Sequence, residues 1–433
     1  MDVLDYKPRK IVVAGLWHLG CVTAACLANK YFRVTGFDPD CEMIENAKKG
    51  VLPIFEPGLD DLINHVCQSG QLMFSNDINE FSDADVVWVT FDTPVNDKDE
   101  ADTKYVTDFV KSIFPYLQNE AIVIISSQLP VGSVGQLNLD YQQQFPQNNV
   151  YFTCSPENLR LGKAIEIFQH PDRIVMGLDD FSVKPRLEAL LMPFSNHILW
   201  VSVTSAEMIK HAINAFLAVS VTFINELASI CESVGADASE VEKGLKSEER
   251  IGPKAYLKPG SAFAGGTLAR DVDYLIKIGE KFSFPAHLMK AIQQSNDNHK
   301  SWVLRRLNHE LGDLTGKKIA VIGLTYKPGT NTLRRSSAIE TCRGLSQAGA
   351  SVYAFDPVIN MLPEDLDFDL RLKHSFCELT ENADAIVVAT EWPEFKKLDF
   401  SKLSCSHVFD MNGFLALQFS NPTHFKYISI GRT

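Results

Sequence analysis

Apolar and polar positions along the first part of the chain predict strands and helices in alternation. Lys10 to Ala14 is a β-branched run, residues 15–20 form a turn, and Cys21 to Lys30 has the small residues of a packed helix. Phe32 to Phe37 predicts a second strand, which completes a βαβ unit. Further strands, with helices between them, are predicted at residues 85–90, 121–126 and 150–154. This order is typical of a doubly wound parallel sheet.

From about Ser205 the apolar residues recur at helical spacing. Residues 206–234 contain no proline, so they predict one long helix. Shorter helices are predicted at residues 237–246, 271–281 and 284–311, with a Gly/Pro-rich stretch at 252–266. A second βαβ unit is then predicted by a strand at 318–323, a helix at 336–349 and strands at 351–355, 385–389 and 407–410.

The fold class predicted from these elements is α/β. Two Rossmann-like doubly wound parallel-sheet domains are joined by a central all-helical domain with one long helix. We expect three domains, at residues 1–204, 205–312 and 313–433. A chain of 433 residues is too long for one ordinary core, which supports several domains.

Composition and charge narrow the classes of function. With 45% apolar and 22% charged residues, the chain has the mix of a soluble globular protein. The first ten residues lack the apolar core of a signal peptide, and the longest uncharged stretch, Ala212 to Asn225, is shorter than a bilayer span. We therefore expect a cytoplasmic protein without a membrane segment. The net charge of -13 disfavours nucleic acid as a partner.

The nine cysteines form neither a CxxC pair nor a His/Cys ligand spacing. They predict reduced, mostly buried thiols, and no metal site is expected.

The turn after the first strand carries a dinucleotide-binding signal with one defect. Its residues are Gly15, Leu16, Trp17, His18, Leu19 and Gly20. In a Rossmann turn the three glycines permit the bend, the approach of the pyrophosphate and the packing of the helix, and here Trp17 replaces the second one. Asp38 ends the second strand, where a carboxylate receives ribose hydroxyls and repels a 2′-phosphate. The predicted cofactor is NAD rather than NADP, unless Asp38 only ends a strand and Trp17 packs in a core.

Several sequence blocks from about Ile11 to Asn412 resemble the UDP-glucose/GDP-mannose dehydrogenase family. The blocks are FEPGL at 55–59, DTP at 92–94, SPENLRLGKA at 155–164, PDRIVMG at 171–177, AEMIKHAINAFLAVSVTFINELASICESVGAD at 206–237, ERIG at 249–252, PGSAFAGGTLARD at 259–271, GLTYKPGTNTLRRSS at 323–337 and TEWPEF at 390–395. The resemblance implies an NAD domain, a long helix that builds a homodimer and a third domain that holds the nucleotide of a nucleotide-sugar substrate.

The resemblance also implies catalytic roles. Lys210 and Asn214, four residues apart on one helix face, match the residues that contact the reacting sugar. Glu157 matches a glutamate assigned to proton transfer or water positioning, and Asp271 matches the aspartate that closes the catalytic loop. Without the resemblance, Lys210 is equally a solvated surface lysine, and either carboxylate a helix-capping group.

Further positions are implied to bind the two ligands. Around the cofactor they are Thr93, Pro94, Ser127, Gln128 and Arg334, in addition to the turn and Asp38. Around the substrate they are Leu159, Arg160, Arg250, Lys258, Gly260, Phe263, Gly265, Tyr326 and Lys327. The glycines of residues 258–266 suggest that backbone amides close on the diphosphate oxygens.

The sequence departs from the family at the catalytic nucleophile. The family's loop reads GFGGSCFxKD, and its cysteine attacks the aldehyde to form a thiohemiacetal, which a second NAD oxidises to a thioester. Aligning Gly265 and Asp271 places Thr267 at this cysteine. Gln128 replaces a threonine of the family's STVP, the acids of TDDxRES are missing from residues 330–336, and the arginine near DxRN is missing from residues 410–412. Cys154 is a weak alternative nucleophile, since a buried strand thiol is the simpler interpretation.

These departures favour an oxidoreductase that performs a single two-electron oxidation of a UDP- or GDP-sugar, with an aldehyde or ketone as product. Thr267 then hydrogen-bonds the sugar or a water. Three alternatives stay open: a conventional 6-dehydrogenase that makes a uronic acid, a redox-neutral epimerase with bound NAD, and a non-catalytic nucleotide-sugar-binding protein. Trp17 in the pyrophosphate turn is the best argument for the last of these.

Overall fold

The structure, a computed structural model, divides into two compact units at residues 1–212 and 213–433. The residues that it describes are 7–30, 32–93, 102–156, 159–264, 267–334, 336–403, 405–419 and 424–432. The three domain boundaries expected from the sequence stay a prediction.

The first unit alternates strands and helices. Its elements are β1 (Ile11–Ala14), α1 (His18–Asn29), β2 (Val34–Phe37), α2 (Cys41–Lys48), α3 (Leu59–Gln68), β3 (Leu72–Ser75), β4 (Val86–Val89), α4 (Thr103–Ser112), β5 (Ile122–Ile125), α5 (Ser133–Gln144), β6 (Tyr151–Cys154), α6 (Ala164–Gln169), β7 (Ile174–Gly177), α7 (Lys184–Leu191) and β8 (Ile198–Val201). In the described residues the strands form one eight-stranded sheet in the order β3-β2-β1-β4-β5-β6-β7-β8. This order confirms the predicted doubly wound sheet.

The central strand β1 shows why the strands are continuous apolar runs. Ile11 and Val13 belong to the apolar cluster on one face of the sheet, whereas Val12 and Ala14 belong to the cluster on the other face. A parallel strand covered by helices on both faces must be apolar at every position. The pair β6 and β7 is antiparallel at Cys154 and Gly177, which the sequence did not predict, and β7 and β8 were also not predicted.

The second unit begins within a long helix, α8 (Val203–Val234), that starts in the first unit. Its further elements are α9 (Ala238–Ser247), α10 (Thr267–Lys281), α11 (His287–Lys300), α12 (Trp302–Leu311), β9 (Lys318–Ile322), α13 (Ser337–Gln347), β10 (Ser351–Phe355), β11 (Arg371–Leu372), α14 (Phe376–Thr380), β12 (Ala385–Val388), β13 (His407–Asp410) and β14 (Lys426–Ile428). The described strands form a six-stranded parallel sheet in the order β11-β10-β9-β12-β13-β14. The predicted pair of parallel-sheet regions with helices between them is confirmed.

Two boundaries of the predicted helices were wrong. The predicted helix 284–311 is two helices, α11 and α12, separated at Ser301. The Ser301 hydroxyl donates to the carbonyl of Asn298 at 2.7 Å, and such a side-chain bond competes with the helical backbone ladder. The helix predicted to begin at Asp271 begins at Thr267, because the intervening Leu, Ala and Arg are strong helix formers.

By length and composition alone, α8 is the one helix among the described residues that could cross a membrane, a test that core helices also pass. Its buried polar side chains bind other parts of the chain. The Glu207 carboxylate accepts the backbone N–H of Val134 at 2.9 Å, and the Asn225 side chain accepts the backbone N–H of Gly260 at 2.9 Å. Such contacts are typical of a helix packed inside a protein.

In both sheets, a glycine turn held by a buried aspartate follows one strand, β1 in the first unit and β9 in the second. Gly15 follows β1 and Gly323 follows β9, with φ of 100° and 85°. The next backbone N–H, from Leu16 or Leu324, donates to the Asp that follows the second strand of its own unit, Asp38 or Asp356, at 2.9 or 2.7 Å. In both units a buried carboxylate therefore holds the turn at the carboxyl end of the central strand.

We predict that Gly20→Ala destabilises the protein by about 2 kcal/mol or more, because a Cβ at Gly20 would lie 1.7 Å from the Gly15 carbonyl oxygen. Gly135→Ala in α5 is the control, since a Cβ there meets nothing within 4 Å and alanine is the better helix former. Urea unfolding measures both variants. Equal midpoints for the two variants would contradict the packing argument.

Candidate functional site

The turn between β1 and α1 requires glycine at both of its ends. At Gly15 a Cβ would lie 2.6 Å from the backbone nitrogen of Phe91, and φ is positive. The Thr90 hydroxyl donates to the Gly15 carbonyl at 2.8 Å, which fixes the turn from the neighbouring strand β4. The close approach of α1 to the strand leaves the helix N-terminus facing the turn, and this end of a helix attracts phosphate groups.

Asp38 lies beside this turn, and its carboxylate oxygens can accept more hydrogen bonds than the protein donates to them. One carboxylate oxygen accepts the Leu16 N–H and the other accepts the Asp40 N–H, at 2.9 and 3.0 Å. Burial raises the pKa of Asp38, and the two backbone hydrogen bonds oppose that effect. A carboxylate has about four acceptor positions, so ribose hydroxyls can be bound in addition. The turn and Asp38 therefore fit a dinucleotide with free 2′ and 3′ hydroxyls.

Trp17, the residue in place of the second glycine, does not pack in a core. It precedes the first residue of α1 with φ of -84°, and its side chain is 43% exposed. That backbone conformation suits any L-residue, so Trp17 imposes no strain on the turn. The alternative in which Trp17 is a core residue was wrong.

The remaining predicted cofactor residues lie at the ends of neighbouring strands, with two exceptions. The Thr93 hydroxyl donates to the Gln128 carbonyl at 2.6 Å, and Ser127 is buried at the end of β5. Pro94 lies outside the described residues. Arg334 is exposed and belongs to the second unit, so its place at the cofactor stays a prediction.

A buried glutamate that the sequence interpretation missed joins the turn to the segment after β6. Glu56 is 2% exposed, and its carboxylate accepts the N–H groups of Gly162 and Ala164 at 2.7 and 2.9 Å. Its side chain also contacts His18 Nε2 at 2.9 Å. Although burial alone would raise the pKa of Glu56, these hydrogen bonds hold it below the ordinary value. The FEPGL block was the signal that could have identified it.

This connection bears on two predicted substrate residues. Leu159 is partly buried against the core of the first unit, and Arg160 is exposed just before the turn that Glu56 holds. The predicted catalytic Glu157 lies outside the described residues.

Lys210 lines a small cavity of about 20 Å³, together with Ser127, Gln128, Cys154 and Glu207 among others. This volume holds about one water molecule. Burial raises the pKa of the Glu207 carboxyl, while the N–H groups of Val134 and Gly132 lower it, and these bonds cap α5. Burial, followed by the charge of Glu207, raises the pKa of the Cys154 thiol far above its usual range. Cys154 is therefore a buried protonated thiol.

Asn214 and Asp271, predicted separately, are brought together in the second unit. The Asn214 side-chain amide donates to the Asp271 carboxylate, and both side chains are buried. Thr267, the first residue of α10, is exposed one helical turn before Asp271. Residues four apart share a helix face, so Thr267 and Asp271 lie on the same side of α10.

The described part of the predicted substrate loop, residues 258–264, uses its amides differently from the expectation. The N–H groups of Gly260, Ser261 and Phe263 donate to the side chains of three asparagines rather than standing open to an anion. The expectation that a glycine amide of this loop recognises the diphosphate is therefore wrong at Gly260, whose N–H donates to Asn225. Gly265 lies outside the described residues.

The predicted basic and aromatic substrate residues of the second unit are mostly accessible. The Arg250 guanidinium is 87% exposed and contacts Glu248 at 2.8 Å. Lys258 and Tyr326 are exposed, and Lys327 is half-buried in the turn that its carbonyl forms with the Thr330 hydroxyl. Their roles stay predictions.

Three sequence profiles of one family match the chain in order. They are the UDP-glucose/GDP-mannose dehydrogenase family's NAD binding domain at residues 9–195, its central domain at 204–298 and its UDP binding domain at 320–416.

Full-length relatives are also similar. The chain is 33% identical over 434 residues to the UDP-glucose 6-dehydrogenase TuaD of Bacillus subtilis, covering 98% of this chain and 93% of the relative. It is 35% identical to a UDP-glucose 6-dehydrogenase of Rhizobium meliloti, and the match covers 98% of this chain and 99% of that relative. Among solved structures, a UDP-glucose dehydrogenase from Pyrobaculum islandicum has a TM-score of 0.86 at 26% identity, with 99% of each chain covered.

We predict that Glu56→Gln lowers stability near neutral pH by roughly 1–3 kcal/mol, because the charged hydrogen bonds to Gly162, Ala164 and His18 are weakened. The folded pKa of Glu56 is lowered, so this stabilisation is present above the unfolded pKa and is lost as the pH falls through the folded one. Thermal unfolding against pH should show the variant and wild type converging in acid. Glu45→Gln, in an exposed ion pair with Lys48, is the control with little effect at any pH.

Proposed function

The chain belongs to the UDP-glucose/GDP-mannose dehydrogenase family, and we propose that it oxidises a UDP- or GDP-sugar once and releases the aldehyde or ketone. It is an NAD-dependent oxidoreductase acting on a CH–OH group. The observation that carries the proposal is Thr267, which stands where the family's loop has its nucleophilic cysteine.

The turn of residues 15–20 and Asp38 would hold NAD, which would supply the acceptor for a hydride from the sugar carbon that bears the hydroxyl. The hydroxyl loses a proton in the same step, so each sugar yields one carbonyl, one NADH and one proton. Oxidation of the aldehyde to an acid requires water and a second NAD. It proceeds through a covalent adduct with a nucleophile, and that nucleophile must be a good leaving group when water hydrolyses the acyl intermediate. A thiolate provides such an adduct, whereas the Thr267 hydroxyl has a far higher pKa and forms a poor one.

The chain's polar residues divide the work of the first step. Lys210 stabilises the developing alkoxide with its ammonium group, and Glu157 takes the proton directly or through a water. The Asn214 amide, fixed by its hydrogen bond to Asp271, orients the sugar. Thr267 has the role of hydrogen-bonding the sugar or a water.

Three buried cysteines are poorly suited to replace the missing thiol. Cys154 adjoins Lys210, but burial keeps it protonated. Cys231 is buried on α8 seventeen residues beyond Asn214, which corresponds to roughly 25 Å along a helix. Burial also raises the pKa of Cys342, to about 12.

A second candidate is the conventional uronic-acid-forming reaction, and the relatives favour it. Both full-length relatives named above are called UDP-glucose 6-dehydrogenases. In that case a nucleophile other than a thiol carries the aldehyde, with Thr267 as the candidate by position.

We predict one NADH for each sugar consumed when purified protein is incubated with NAD and a panel of UDP- and GDP-sugars. Absorbance gives the NADH, and chromatography gives the sugar consumed and the product formed. Two NADH and a uronic acid would support the conventional dehydrogenase instead. Conversion without NADH would indicate an epimerase, and no conversion of any sugar would indicate a binding protein.

We predict that Thr267→Cys moves the ratio from one NADH per sugar toward two. The residue opens a 15-residue helix, and the N-terminus of a helix lowers the pKa of a thiol placed there. Thr267→Ser is the matched control and should keep the ratio at one. A cysteine variant that still makes no acid, although alkylation shows a reactive thiol, would mean that the missing sulfur is not what stops the reaction.

We propose that the chain forms a homodimer through α8. Phe216, Phe223 and Ile230 recur every seven residues, so they lie along one face of the helix, and their exposed fractions are 70%, 48% and 57%. A row of large exposed apolar side chains is costly in water and marks an association surface. Self-association is the simplest way to cover it, because the same helix face on a second copy is complementary in length and character.

We predict that Phe223→Glu shifts the protein from dimer to monomer, because it places a charge in the middle of this face. Light scattering after size-exclusion chromatography measures the mass. Met361→Glu, at a site that is 83% exposed outside the face, is the control and should leave the mass unchanged. Wild-type protein that is monomeric at micromolar concentration would refute the dimer.

A further inference from the structure

Four side chains bind the backbone of residues 260–263, and none of them was predicted from the sequence to have a role. They are Asn225 from α8, Asn296 and His299 from α11, and Asn412 after β13. Three of the four, all except Asn412, are buried polar residues. Because a buried polar side chain is costly unless it is hydrogen-bonded, each must bind a specific partner, and each binds the loop.

Asn296 binds the loop most specifically. Its Oδ1 accepts the Phe263 N–H at 3.0 Å, and its Nδ2 donates to the Phe263 carbonyl at 2.9 Å. The side chain thus imitates the pairing of a neighbouring β-strand, because a carboxamide carries a donor and an acceptor side by side, whereas a carboxylate carries only acceptors. The Phe263 ring packs against the apolar cluster that contains Ala218 and Val272, which fixes the same residue from its side chain.

The other end of the segment is held at Gly260 by two elements. The Gly260 N–H donates to Asn225 Oδ1 at 2.9 Å, and the Gly260 carbonyl lies 2.8 Å from His299 Nε2. Since a carbonyl only accepts, the His299 ring nitrogen carries the proton and donates it. Burial lowers the pKa of His299, so the ring is neutral at physiological pH.

Asn412 adds the contact from the six-stranded sheet. Its Oδ1 accepts the Ser261 N–H at 2.7 Å and the Ser261 hydroxyl at 3.0 Å. A Cβ at Gly260 would lie 2.6 Å from that oxygen, so glycine is required for this approach. Asn412 acts on the loop only as an acceptor, in contrast to Asn296.

We propose that Asn225, Asn296, His299 and Asn412 are positioning residues for nucleotide-sugar oxidation. They set the place of residues 260–263, which follow Lys258, a residue assigned to the substrate. Their amide and imidazole groups form hydrogen bonds with the loop backbone, so the loop already has its shape before the substrate binds. Little conformational entropy of the loop is then lost on binding. This inference rests on the proposed function, because the loop is taken as part of the substrate site.

The test compares the same chemical change at three asparagines in the full-length protein. Asn296→Asp replaces the donor with an oxygen that faces the Phe263 carbonyl, so we expect kcat/KM for UDP-glucose to fall about tenfold or more, mainly through KM. Asn412→Asp keeps the acceptor and should restore what Asn412→Ala loses. Asn298→Asp, exposed on the same helix, is the matched control.

Two readouts separate positioning from loss of fold. The KM for NAD should stay within about twofold in every variant, because the dinucleotide turn belongs to the first unit. Hydrogen exchange should accelerate at the Ser261 and Phe263 amides in Asn296→Asp and stay slow in Asn412→Asp. His299→Leu and His299→Gln repeat the comparison at Gly260, since glutamine keeps a donor.

The inference is overturned if Asn296→Asp and Asn298→Asp have equal kcat/KM, or if the KM for NAD rises in parallel with the loss. A wild-type protein that oxidises no nucleotide sugar would refute the proposed function alone. In that case amide exchange, which needs no substrate, still decides whether the four side chains hold the loop.

Discussion

The buried carboxylate beside each central strand is the contact on which the arrangement of both sheets depends. Parallel strands end in exposed N–H and C=O groups, and the turn that follows must bind them before a helix can pack back on the sheet. Asp38 and Asp356 solve this problem in the same way, by accepting the N–H of the leucine after the glycine. The glycine is needed because the chain passes within contact distance of the next strand.

The two carboxylates differ in what they leave for a ligand. Asp356 also receives the Thr325 N–H at 3.1 Å, the Trp392 indole N–H at 3.2 Å and the Val358 N–H at 3.0 Å. Asp38 receives two backbone N–H groups and lies next to the N-terminus of α1. The first turn therefore has acceptor capacity for ribose hydroxyls, whereas the second uses its carboxylate to hold the protein itself. This difference accounts for the dinucleotide site being in the first unit.

The same principle governs the loop before α10. The backbone groups of residues 260–263 are bound by side chains from α8, α11 and the end of β13, so these residues are shaped before any substrate arrives. The proposed exchange of the family's cysteine for Thr267 would change the chemistry without requiring a change in the scaffold. Asn214 and Asp271 still meet, and the start of a helix still lies one turn away.

The sequence by itself determined the α/β class, most of the strands, the long helix and the cofactor turn, because each depends on local periodicity or on a glycine at a fixed spacing. It also predicted Thr267 and Asp38 as site residues from their positions in short motifs. Only the tertiary structure revealed Glu56, Asn225, Asn296, His299 and Asn412, because their partners lie 33 to 151 residues away and an isolated polar residue carries no periodic signal. It likewise corrected the Gly260 amide from a ligand donor to a structural one. Packing decides which backbone N–H groups remain free to bind a ligand. Packing is a property of the folded chain and cannot be read from the order of residues in the sequence.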